Sequence, residues 1–377
     1  MKQLVLIGAG HTHIHILRNA ETLTQSGARI TIVTPETGHP YSGMGPGLLG
    51  GSYRWEEICI PVQEQAARAG VSFLRASARS VDPDARVLTL GDGRRLEYDV
   101  LSINIGSDVA PTASLQDHRV YRVKPIANLA RLKSDLIAAR SATFGDAAHL
   151  QTTTYSQTAT QRRTTRVAVI GGGPAGVECA GNIAYLLHTH GIEASEVTLY
   201  SRSETLGRMT PERSRWIETF LQSHRVAVRR EVVTSSDDID ADFVVLASGT
   251  HPPETLRDFG LPLGPGGGLA VNDYLQSVDH ANVFAVGDCA DFVREPLDRV
   301  GVYAVRMQPL LFDNVHALLR EQTEEIRRFT RTGPYLAGVN LGFGQGLLYR
   351  GRWDLRGRAA FRLKDFIDRR FMKRYLL

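Results

Sequence analysis

The chain has 377 residues, which is too long for one hydrophobic core and long enough for two domains with an appendage. Its composition is ordinary for a soluble globular protein, and its formal net charge is only +4. We find no apolar run that could span a bilayer and no signal-peptide pattern, so the expected location is cytoplasmic. No basic patch interleaved with aromatic residues is present, which argues against a nucleic-acid partner.

Two glycine-rich turns, at residues 8–13 (GAGHTH) and 171–176 (GGGPAG), each follow a strand-like apolar run, LVLI or VAVI. Apolar residues at helical spacing follow each turn, so the glycines stand where a strand meets a helix N-terminus. Backbone can approach a pyrophosphate closely there, and the helix N-terminus favours the anion. The pair predicts two bound dinucleotides in an α/β protein with two Rossmann-like domains.

The first turn departs from the Gly-x-Gly-x-x-Gly pattern. His13 replaces the third glycine, so the helix must stand off its sheet or the imidazole must tuck sideways. His11, His13 and His15 are two residues apart, and on a helix such side chains diverge by about 200°. They cannot converge on one ion, and we predict no metal site.

Residues 281–288 (ANVFAVGD) form a short apolar strand that ends in Gly-Asp, and two more hydrophobic segments, 99–107 and 243–250, end in a small residue and glycine. The order of these signals resembles that of the two-dinucleotide-binding flavoproteins of the pyridine nucleotide-disulfide oxidoreductase superfamily, over residues 1 to 318. The resemblance implies FAD and NAD(P)H as cofactors, with Asp288 on the ribityl chain. It also implies an FAD domain from residues 1–121 and 251–318, an NAD(P)H domain from 122–250, and a C-terminal segment from 319–377.

The residues expected at FAD are Gly8, Gly10, His11, Thr34, Ser42, Gly43, Gly106, Gly287 and Asp288. Those expected at NAD(P)H are Gly171, Gly173, Gly176, Ser201, Arg202 and Gly249. An acidic residue normally takes the ribose hydroxyls at the end of the second strand. Thr34 stands there in the first unit, and Ser201 with Arg202 in the second. Arg202 therefore favours a 2′-phosphate, unless it is merely a solvated surface residue.

The three cysteines, Cys59, Cys179 and Cys289, are scattered and imply no disulfide framework. Disulfide reductases of the superfamily carry a redox-active cysteine pair, and neither nucleotide unit contains one here. Residues 39–47 (HPYSGMGPG) form a turn-rich loop at one of those places. Residues 141–165, rich in Ser, Thr, Gln and Ala, are expected to form an exposed linker.

Residues 176–180 (GVECA) resemble the type II NADH dehydrogenases, in which a glutamate here lies near nicotinamide and flavin. By this resemblance Glu178 positions the nicotinamide; the alternative is a glutamate that only bonds backbone near the helix start. In the quinone-reducing members a helix after the Gly-Asp motif covers the flavin, which makes Tyr303 and Gln308 candidates for the acceptor pocket. The same two residues could instead bind the flavin pyrimidine edge.

A narrower resemblance is to the NADH-dehydrogenase-like flavoprotein module fused to selenide, water dikinase. It rests on Gly-x-Gly-His-x-His, Tyr-Ser-Gly-Met, Val-Lys-Pro at 123–125 and Asp-x-x-Asp-Arg-Arg-Phe-Met near the end. It implies a flavin oxidoreductase, with a faint link to selenium metabolism. Lys124 is expected near the flavin, where its charge would stabilise the reduced ring system.

Residues 350–377 contain ten Lys or Arg and three Asp, a local charge of +7 that leaves −3 on the rest of the chain. Helical spacing predicts one apolar face, formed by Leu363, Phe366, Ile367, Phe371 and Tyr375. Such a basic amphipathic helix suits an anionic membrane surface, which would place the protein at the inner face of the cytoplasmic membrane. The alternative is packing on the body or on a second subunit, as in a homodimer.

These observations predict an FAD-dependent NAD(P)H dehydrogenase that passes electrons to a quinone or another small acceptor. The runner-up is a sulfide- or selenide-oxidising flavoprotein, which requires cysteines beside the flavin. A flavin-binding protein without turnover is the third reading, because the first glycine motif is altered.

Overall fold

The computed structural model describes residues 1–109, 119–145, 164–192, 195–235, 238–331 and 333–376. The helices in these ranges are α1 His11–Arg18, α2 Ala20–Gln25, α3 Gly45–Gly50, α4 Trp55–Ile58, α5 Val62–Arg68, α6 Ala127–Gly145, α7 Pro174–Thr189, α8 Pro211–Ser223, α9 Gly301–Leu319 and α10 Arg358–Lys373. The strands up to the second glycine turn are β1 Lys2–Ile7, β2 Ala28–Thr34, β3 His39–Pro40, β4 Cys59–Ile60, β5 Ser72–Arg75, β6 Ala78–Asp82, β7 Val87–Leu90, β8 Arg95–Glu97, β9 Val100–Ile103, β10 Asp108–Val109, β11 Val120–Arg122 and β12 Thr165–Ile170. Those after it are β13 Ser195–Tyr200, β14 Val226–Arg229, β15 Phe243–Leu246, β16 Thr250–His251, β17 Leu269–Val271, β18 Val283–Ala285, β19 Ala290–Phe292, β20 Ala337–Asn340, β21 Gly346–Arg350 and β22 Trp353–Gly357.

Two parallel five-stranded sheets organise the protein. The first has the order β18–β9–β1–β2–β5, and the second β11–β15–β12–β13–β14. In each sheet the strand before the glycine turn, β1 or β12, has neighbours on both sides, and the strand order reverses there. Ligands of open α/β sheets bind at this switch point, outside the carboxyl ends of the strands. The predicted α/β fold with two Rossmann-like units is confirmed.

The strands show how the chain passes between the two sheets. The first sheet takes its strands from residues 2–103 and 283–285, so it is discontinuous in sequence. β11 begins at Val120 and pairs with β15 of the second sheet, so the second unit starts two residues before the expected boundary at 122. β10 and β16 pair antiparallel where the chain leaves and re-enters the first unit.

The C-terminal segment comprises the antiparallel sheet β20–β21–β22 and α10. It packs directly on α7, where a Cβ atom on Gly181 would lie 2.3 Å from the carbonyl oxygen of Leu341. α10 reaches the first unit, because the Phe371 ring stacks on the His11 ring at a centroid distance of 5.6 Å. The segment therefore contacts both nucleotide-binding units.

Two sequence expectations need correction. α6 continues to Gly145 and β12 begins at Thr165, so the ends of the expected linker 141–165 are regular structure; residues 146–163 lie outside the described ranges.

The five apolar residues predicted to form one face of the C-terminal helix do not share a face, and Tyr375 lies just beyond the end of α10. Tyr375 is buried and Phe371 packs against the core, whereas Leu363, Phe366 and Ile367 are 40%, 60% and 39% exposed. The reason is rotation: four residues turn a helix by about 400°, so an i, i+4 row drifts by about 40° per step. In the described ranges, no helix combines the length and the apolarity that crossing a membrane would require.

Candidate functional site

The first glycine turn lies between β1 and α1, against the end of β9. A Cβ atom on Gly8, whose φ is +86°, would lie 2.4 Å from the carbonyl oxygen of Asn104. One on Gly10 would lie 2.3 Å from Asn104 Oδ1, and one on Gly287 would lie 3.1 Å from the same atom. Three glycines expected at FAD therefore converge on Asn104, which the sequence analysis did not single out.

This turn has unsatisfied hydrogen-bonding capacity. His11 Nε2 and Asn104 Nδ2 are buried and have no hydrogen-bond partner among the residues that the structure describes. Each such group costs about 1–3 kcal/mol unless a ligand or water bonds it. The first N–H groups of α1 also lack partners within the helix and face the place of a pyrophosphate. Phosphate and hydroxyl oxygens of FAD would satisfy these groups, so the residues present fit the cofactor.

His13 takes the place of the third glycine by turning its ring towards the sheet. Nδ1 lies 2.6 Å from the Gly8 carbonyl oxygen, and Nε2 lies 2.8 Å from the Ser102 hydroxyl of β9. Burial lowers the pKa of His13 to about 4, although the Gly8 hydrogen bond opposes this shift. The neutral ring therefore donates from Nδ1 to Gly8 and accepts the Ser102 proton at Nε2.

His11 belongs to a different cluster. Its Nδ1 lies 3.1 Å from His39 Nε2, and its ring contacts Tyr41 and Phe371. Burial, with a smaller contribution from the charge of Lys124, lowers the pKa of His11 to about 4. The cluster is thus uncharged at neutral pH, and it joins the flavin unit to α10. His15, the third histidine of the motif, contacts Phe312 instead.

Asp288 of the Gly-Asp motif is held by two side chains. Its Oδ2 accepts hydrogen bonds from Lys124 Nζ at 2.9 Å and from the Ser107 hydroxyl at 2.7 Å. Lys124 Nζ lies 2.6 Å from the same Ser107 oxygen. The two residues that the sequence analysis expected near the flavin, Lys124 and Asp288, therefore form one partly buried ion pair.

The other residues expected at FAD occupy two places. Thr34, at the end of β2, is buried, and Gly106 follows β9 with a φ of +74°, so both lie at the carboxyl edge of the first sheet. Ser42 and Gly43 lie in a short 3-10 turn beneath α10, where the Gly43 carbonyl accepts a hydrogen bond from Lys364 Nζ at 2.9 Å.

The second glycine turn follows the full motif. A Cβ on Gly171 would lie 2.2 Å from the Ala247 carbonyl oxygen, and one on Gly176 would lie 1.7 Å from the Gly171 carbonyl oxygen. Apart from their own chain neighbours, Cβ atoms on Gly173 and Gly249 would meet nothing within 4 Å in the described part of the chain. Two positions thus close the turn against the sheet, and Gly173 leaves space at the N-terminus of α7.

Ser201 and Arg202 differ in their surroundings. Ser201 is buried, and its hydroxyl donates to the Ser203 carbonyl at 2.9 Å. Arg202 is exposed, and no ion pair involves it in the described ranges. The carboxylate that would take the ribose hydroxyls is absent at this position, as the sequence indicates.

Glu178 lies near the start of α7 and is almost fully buried. Its Oε1 accepts a hydrogen bond from the backbone N–H of Asn340 at 2.7 Å, which ties α7 to β20. Burial raises the pKa of Glu178 to about 7, although the charge of Lys364 and the Asn340 bond oppose the shift. Glu178 therefore bonds backbone of the C-terminal segment, and its protonation changes near neutral pH.

The inner face of α10 places charged groups beside Glu178. Lys364 Nζ and Asp368 Oδ2 are 2.6 Å apart, and both side chains are about nine-tenths buried. The Tyr41 hydroxyl donates to Asp368 Oδ1 at 3.2 Å. Each of these two buried charges therefore has an opposite charge as its partner. The sequence pattern did not predict this pair.

The two acceptor candidates lie in different settings. Tyr303, at the start of α9, lines a small cavity beside Gly287 and Asp288 as well as a larger one of 510 Å³. The larger cavity is lined by Arg213, Tyr303, Arg331, Gly333, Pro334, Tyr335, Tyr349 and Gly351. Gln308 lines neither: its Nε2 donates to the His11 carbonyl and its Oε1 accepts from the Tyr375 hydroxyl, both at 2.9 Å.

Sequence reasoning missed several residues that build this site. Ser102 and Asn104 left one signal, since they are polar positions in the apolar segment 99–107. Lys364 left none. His39, Tyr41 and Asp368 lie in segments noted above, the loop 39–47 and the Asp-x-x-Asp-Arg-Arg-Phe-Met motif, but nothing local indicated their partners, which are far away in the chain.

A family model for pyridine nucleotide-disulphide oxidoreductases matches residues 2–308. The chain belongs to this family. Its cofactors are FAD and NAD(P)H.

Relatives of this chain include the demethylphylloquinone reductase of Synechocystis sp., 27% identical over 256 residues. That match covers 62% of this chain and 58% of the relative, which is less than two thirds of its length. The type II NADH:quinone oxidoreductase of Staphylococcus epidermidis is 21% identical, over 98% of this chain and 94% of that one. The narrower resemblance to the module fused to selenide, water dikinase stays a prediction.

Two solved structures share the fold. The sulfide:quinone oxidoreductase of Aquifex aeolicus superposes with a TM-score of 0.78 at 17% identity, covering 100% of this chain and 92% of that one. An engineered water-forming NADPH oxidase, bound to NADPH, gives 0.71 at 18%, covering 93% and 75%. In that oxidase, successive Asp, Ala and Met residues were changed to Ala, Arg and Ser, and a Pro five positions further on to Arg.

We expect Glu178→Gln to remove a pH-dependent loss of stability. The pKa is about 7 in the folded protein against an ordinary 4.5, so between these pH values the folded state binds more protons and stability falls as pH rises. Across that window the loss is about 2–3 kcal/mol. Glutamine stays neutral and keeps the acceptor for Asn340. Urea unfolding at pH 5 and pH 8 measures the difference.

The control is Glu97→Gln, which changes an exposed carboxyl on β8. If the stability difference between wild type and Glu178→Gln is the same at both pH values, Glu178 does not titrate as described.

Proposed function

We propose that this protein is an FAD-dependent NAD(P)H dehydrogenase that passes electrons through the flavin to a quinone. One observation carries the proposal: two glycine turns, each at the switch point of its own parallel sheet, stand in one chain with the Gly-Asp motif beside the first. The donor and the flavin would then meet in a single molecule. The quinone is inferred from the relatives, which are named as quinone reductases.

The chain's own residues would bind and orient the reactants. When bound, FAD supplies the hydride and electron chemistry. The N–H groups at the start of α1 and α7 would bind the two pyrophosphates, and Asp288 would hold the ribityl chain. Lys124, fixed by Asp288, would place a positive charge near the ring system. His11, which is buried, and His39, which is partly buried, would close the site with uncharged rings.

In this proposal Glu178 is a positioning residue. Its carboxylate is already bonded to Asn340, so it would orient the nicotinamide through the contact between α7 and β20. The buried pair of Lys364 and Asp368 ties α10 to the first unit through the Gly43 carbonyl and the Tyr41 hydroxyl.

The 510 Å³ cavity is the proposed acceptor site. Three tyrosines line it, and aromatic walls suit a flat quinone ring. Tyr303 separates it from the small cavity at Gly287 and Asp288, which places it one side chain from the proposed flavin site. Gln308, whose amide is bonded at both ends, is left out of this assignment.

The three cysteines argue against the alternative function, that of a sulfide- or selenide-oxidising flavoprotein. Burial raises the pKa of Cys59 and of Cys289 to about 11, and it also raises that of Cys179. All three are unpaired. Protonated thiols are poor nucleophiles, so sulfide or selenide oxidation through a cysteine is less well supported than quinone reduction.

We include NADPH among the nucleotides that donate electrons in the proposed reaction. The engineered NADPH oxidase carries Ala-Arg-Ser followed five positions later by Arg, and this chain has Ser201-Arg202-Ser203 followed at the same spacing by Arg208. The pattern supports NADPH among the accepted donors.

The outer face of α10 is proposed to bind an anionic membrane, which holds the lipid-soluble quinone. Leu363, Phe366 and Ile367 are exposed on it, and the exposed cations Arg362, Arg370 and Lys373 lie on the same helix. Attraction to anionic lipid followed by apolar insertion is the usual binding mode of such a helix. This would place the protein on the inner face of the cytoplasmic membrane; a homodimer contact through the same face is the alternative.

We expect anaerobic NADH or NADPH to bleach the flavin absorbance near 450 nm of the purified protein. Gly173→Val should abolish this reduction while FAD stays bound, because the valine would project into the space at the N-terminus of α7. FAD content and reduction are read from one spectrum. If neither nucleotide reduces the flavin of the wild-type protein, the dehydrogenase proposal is wrong, and the protein binds flavin without turnover.

Tyr303→Leu should raise the KM for a water-soluble quinone several-fold and leave flavin reduction by NAD(P)H unchanged. Tyr303→Phe, which keeps the ring that lines the cavity, should stay close to wild type. Steady-state and stopped-flow measurements separate the two steps. Equal quinone KM values in wild type and Tyr303→Leu would remove the cavity from the acceptor path.

Replacing Leu363, Phe366 and Ile367 by serine should abolish sedimentation with anionic vesicles at low salt. The matched control replaces three exposed apolar residues elsewhere, Leu263, Val278 and Val293, by serine. Point variants are sharper than truncation, because removing α10 also removes the buried pair of Lys364 and Asp368. If both triple variants sediment like wild type, the outer face of α10 does not bind lipid. A shift of the Leu363, Phe366 and Ile367 variant from dimer to monomer in ultracentrifugation would then identify a subunit contact.

A further inference from the structure

The charged side chains that line the proposed acceptor cavity are basic. Of the described residues that form its wall, Arg213 and Arg331 are charged, and none is an acid. Arg213 comes from α8 of the second unit, whereas Arg331 lies in the segment between α9 and β20. Asp298 and Glu178 act on the tyrosines of the cavity from a distance, but neither lines it. The wall of the cavity therefore presents positive charge to a ligand.

Arg213 is held in place at this wall by the C-terminal segment. Its side chain is only 6% exposed, and Nε donates to Asp354 Oδ2 at 2.9 Å. Nη2 donates to the carbonyl oxygens of Gly351 at 2.9 Å and Trp353 at 3.1 Å. The guanidinium carbon lies 5.0 Å from the ring centroid of Tyr349, which also lines the cavity. The charge therefore stays beside an aromatic ring of the wall.

One nitrogen of Arg213 has no acceptor in the protein as far as the structure describes it. A guanidinium carries five N–H groups, and the bonds to Asp354, Gly351 and Trp353 use the one on Nε and the two on Nη2. The two N–H groups of Nη1 make no hydrogen bond with the described residues. Because Arg213 lines the cavity and its other nitrogens bond the C-terminal segment, Nη1 is the atom available to a ligand there.

The charge of Arg213 is only partly neutralised. Its ion-pair partner Asp354 also binds Arg356, with Oδ1 and Nε 3.0 Å apart. The Arg356 guanidinium, with a smaller contribution from Arg213, holds the pKa of Asp354 below its ordinary value, although burial opposes the shift. In the described ranges Glu212 forms no ion pair with either arginine. Two guanidinium groups thus share one carboxylate, which leaves an excess of positive charge beside the cavity.

We propose that the cavity accepts a quinone that carries an anionic substituent, such as a carboxylate, and that Arg213 Nη1 binds this group. The inference rests on the proposed function and deepens it by naming the charge of the acceptor. A carboxylate would gain a charge-assisted hydrogen bond that a neutral quinone cannot make. Arg331 already has Glu295 as its partner, so we assign the direct contact to Arg213. Reduction adds a hydride equivalent from NAD(P)H and a proton from solvent to the quinone, and it leaves the anionic group unchanged.

The test compares two ligands that differ in one charge. Naphthalene-2-carboxylate and naphthalene-2-carboxamide are not reduced by the enzyme, so titration calorimetry with the holoenzyme measures binding without electron transfer. The variants are Arg213→Met and Arg213→Lys, and in both of them Asp354 keeps Arg356 as its partner. Arg352→Gln is the matched control, because Arg352 is an exposed arginine next to Gly351 that does not line the cavity.

Wild type should bind the carboxylate about 10- to 100-fold more tightly than the carboxamide, which is the effect of one hydrogen bond to a charged group. Arg213→Met should abolish this preference, Arg213→Lys should retain part of it, and the control should leave it unchanged. In steady-state assays the carboxylate should raise the KM for 1,4-naphthoquinone without lowering kcat. The anionic 1,4-naphthoquinone-2-sulfonate should have a lower KM than 1,4-naphthoquinone. The wild-type comparisons hold even if a variant of the buried arginine fails to fold.

The outcomes separate the anion site from the proposed function. If wild type binds the carboxylate and the carboxamide equally but reduces 1,4-naphthoquinone, the anion site is wrong and the quinone-reducing dehydrogenase stands. If the carboxylate is preferred and Arg213→Met loses the preference, but no quinone is reduced, the anion site stands and quinone reduction is wrong. A preference that survives in Arg213→Met would come from another part of the protein and would overturn the assignment to Arg213.

Discussion

The contact between the first glycine turn and Asn104 constrains the rest of the structure. Backbone from three separate segments meets at the carboxyl end of β9. A side chain at Gly8 or Gly10 would collide with Asn104, and one at Gly287 would make a tight contact with it. Because β9 lies between β1 and β18, this contact fixes both the start of α1 and the Gly-Asp motif relative to one sheet. The proposed pyrophosphate and ribityl sites therefore lie side by side, and Asn104 keeps an amide free for the ligand they share.

The two glycine turns fit different residues at the third position of the glycine motif. Gly176 must lack a side chain, because its Cβ would lie 1.7 Å from the Gly171 carbonyl oxygen. At the matching position the first turn has His13, whose ring bonds Gly8 and Ser102. A buried neutral imidazole with both nitrogens satisfied costs little, whereas an unpaired one would be expensive. Ser102 is thus the residue that makes the departure from the glycine pattern tolerable.

The C-terminal segment packs against both nucleotide-binding units. β20 is bonded to α7 through Glu178 and Asn340, and α10 is fastened through Lys364, which contacts Asp368 and the Gly43 carbonyl. Charges on the buried side of a helix are unusual, and they are stable here because each has its partner. With those charges facing inward, the apolar residues Leu363, Phe366 and Ile367 are left on the outside, where the proposed membrane contact lies.

The sequence by itself determined the parallel sheets, the two glycine turns and the Gly-Asp motif, because apolar runs and the need for glycine are local properties that a short window displays. It also predicted that Lys124 and Asp288 lie near the flavin, although their ion pair became visible only in the structure. Tertiary structure alone decided which residues complete the site: Asn104 against Gly8, Phe371 against His11, and Lys364 beside Glu178. It also separated the apolar residues of α10 into two faces, since the i, i+4 row rotates along the helix and the body covers one side of it. These pairings join segments tens to hundreds of residues apart, and long-range packing, which no local pattern encodes, selects them.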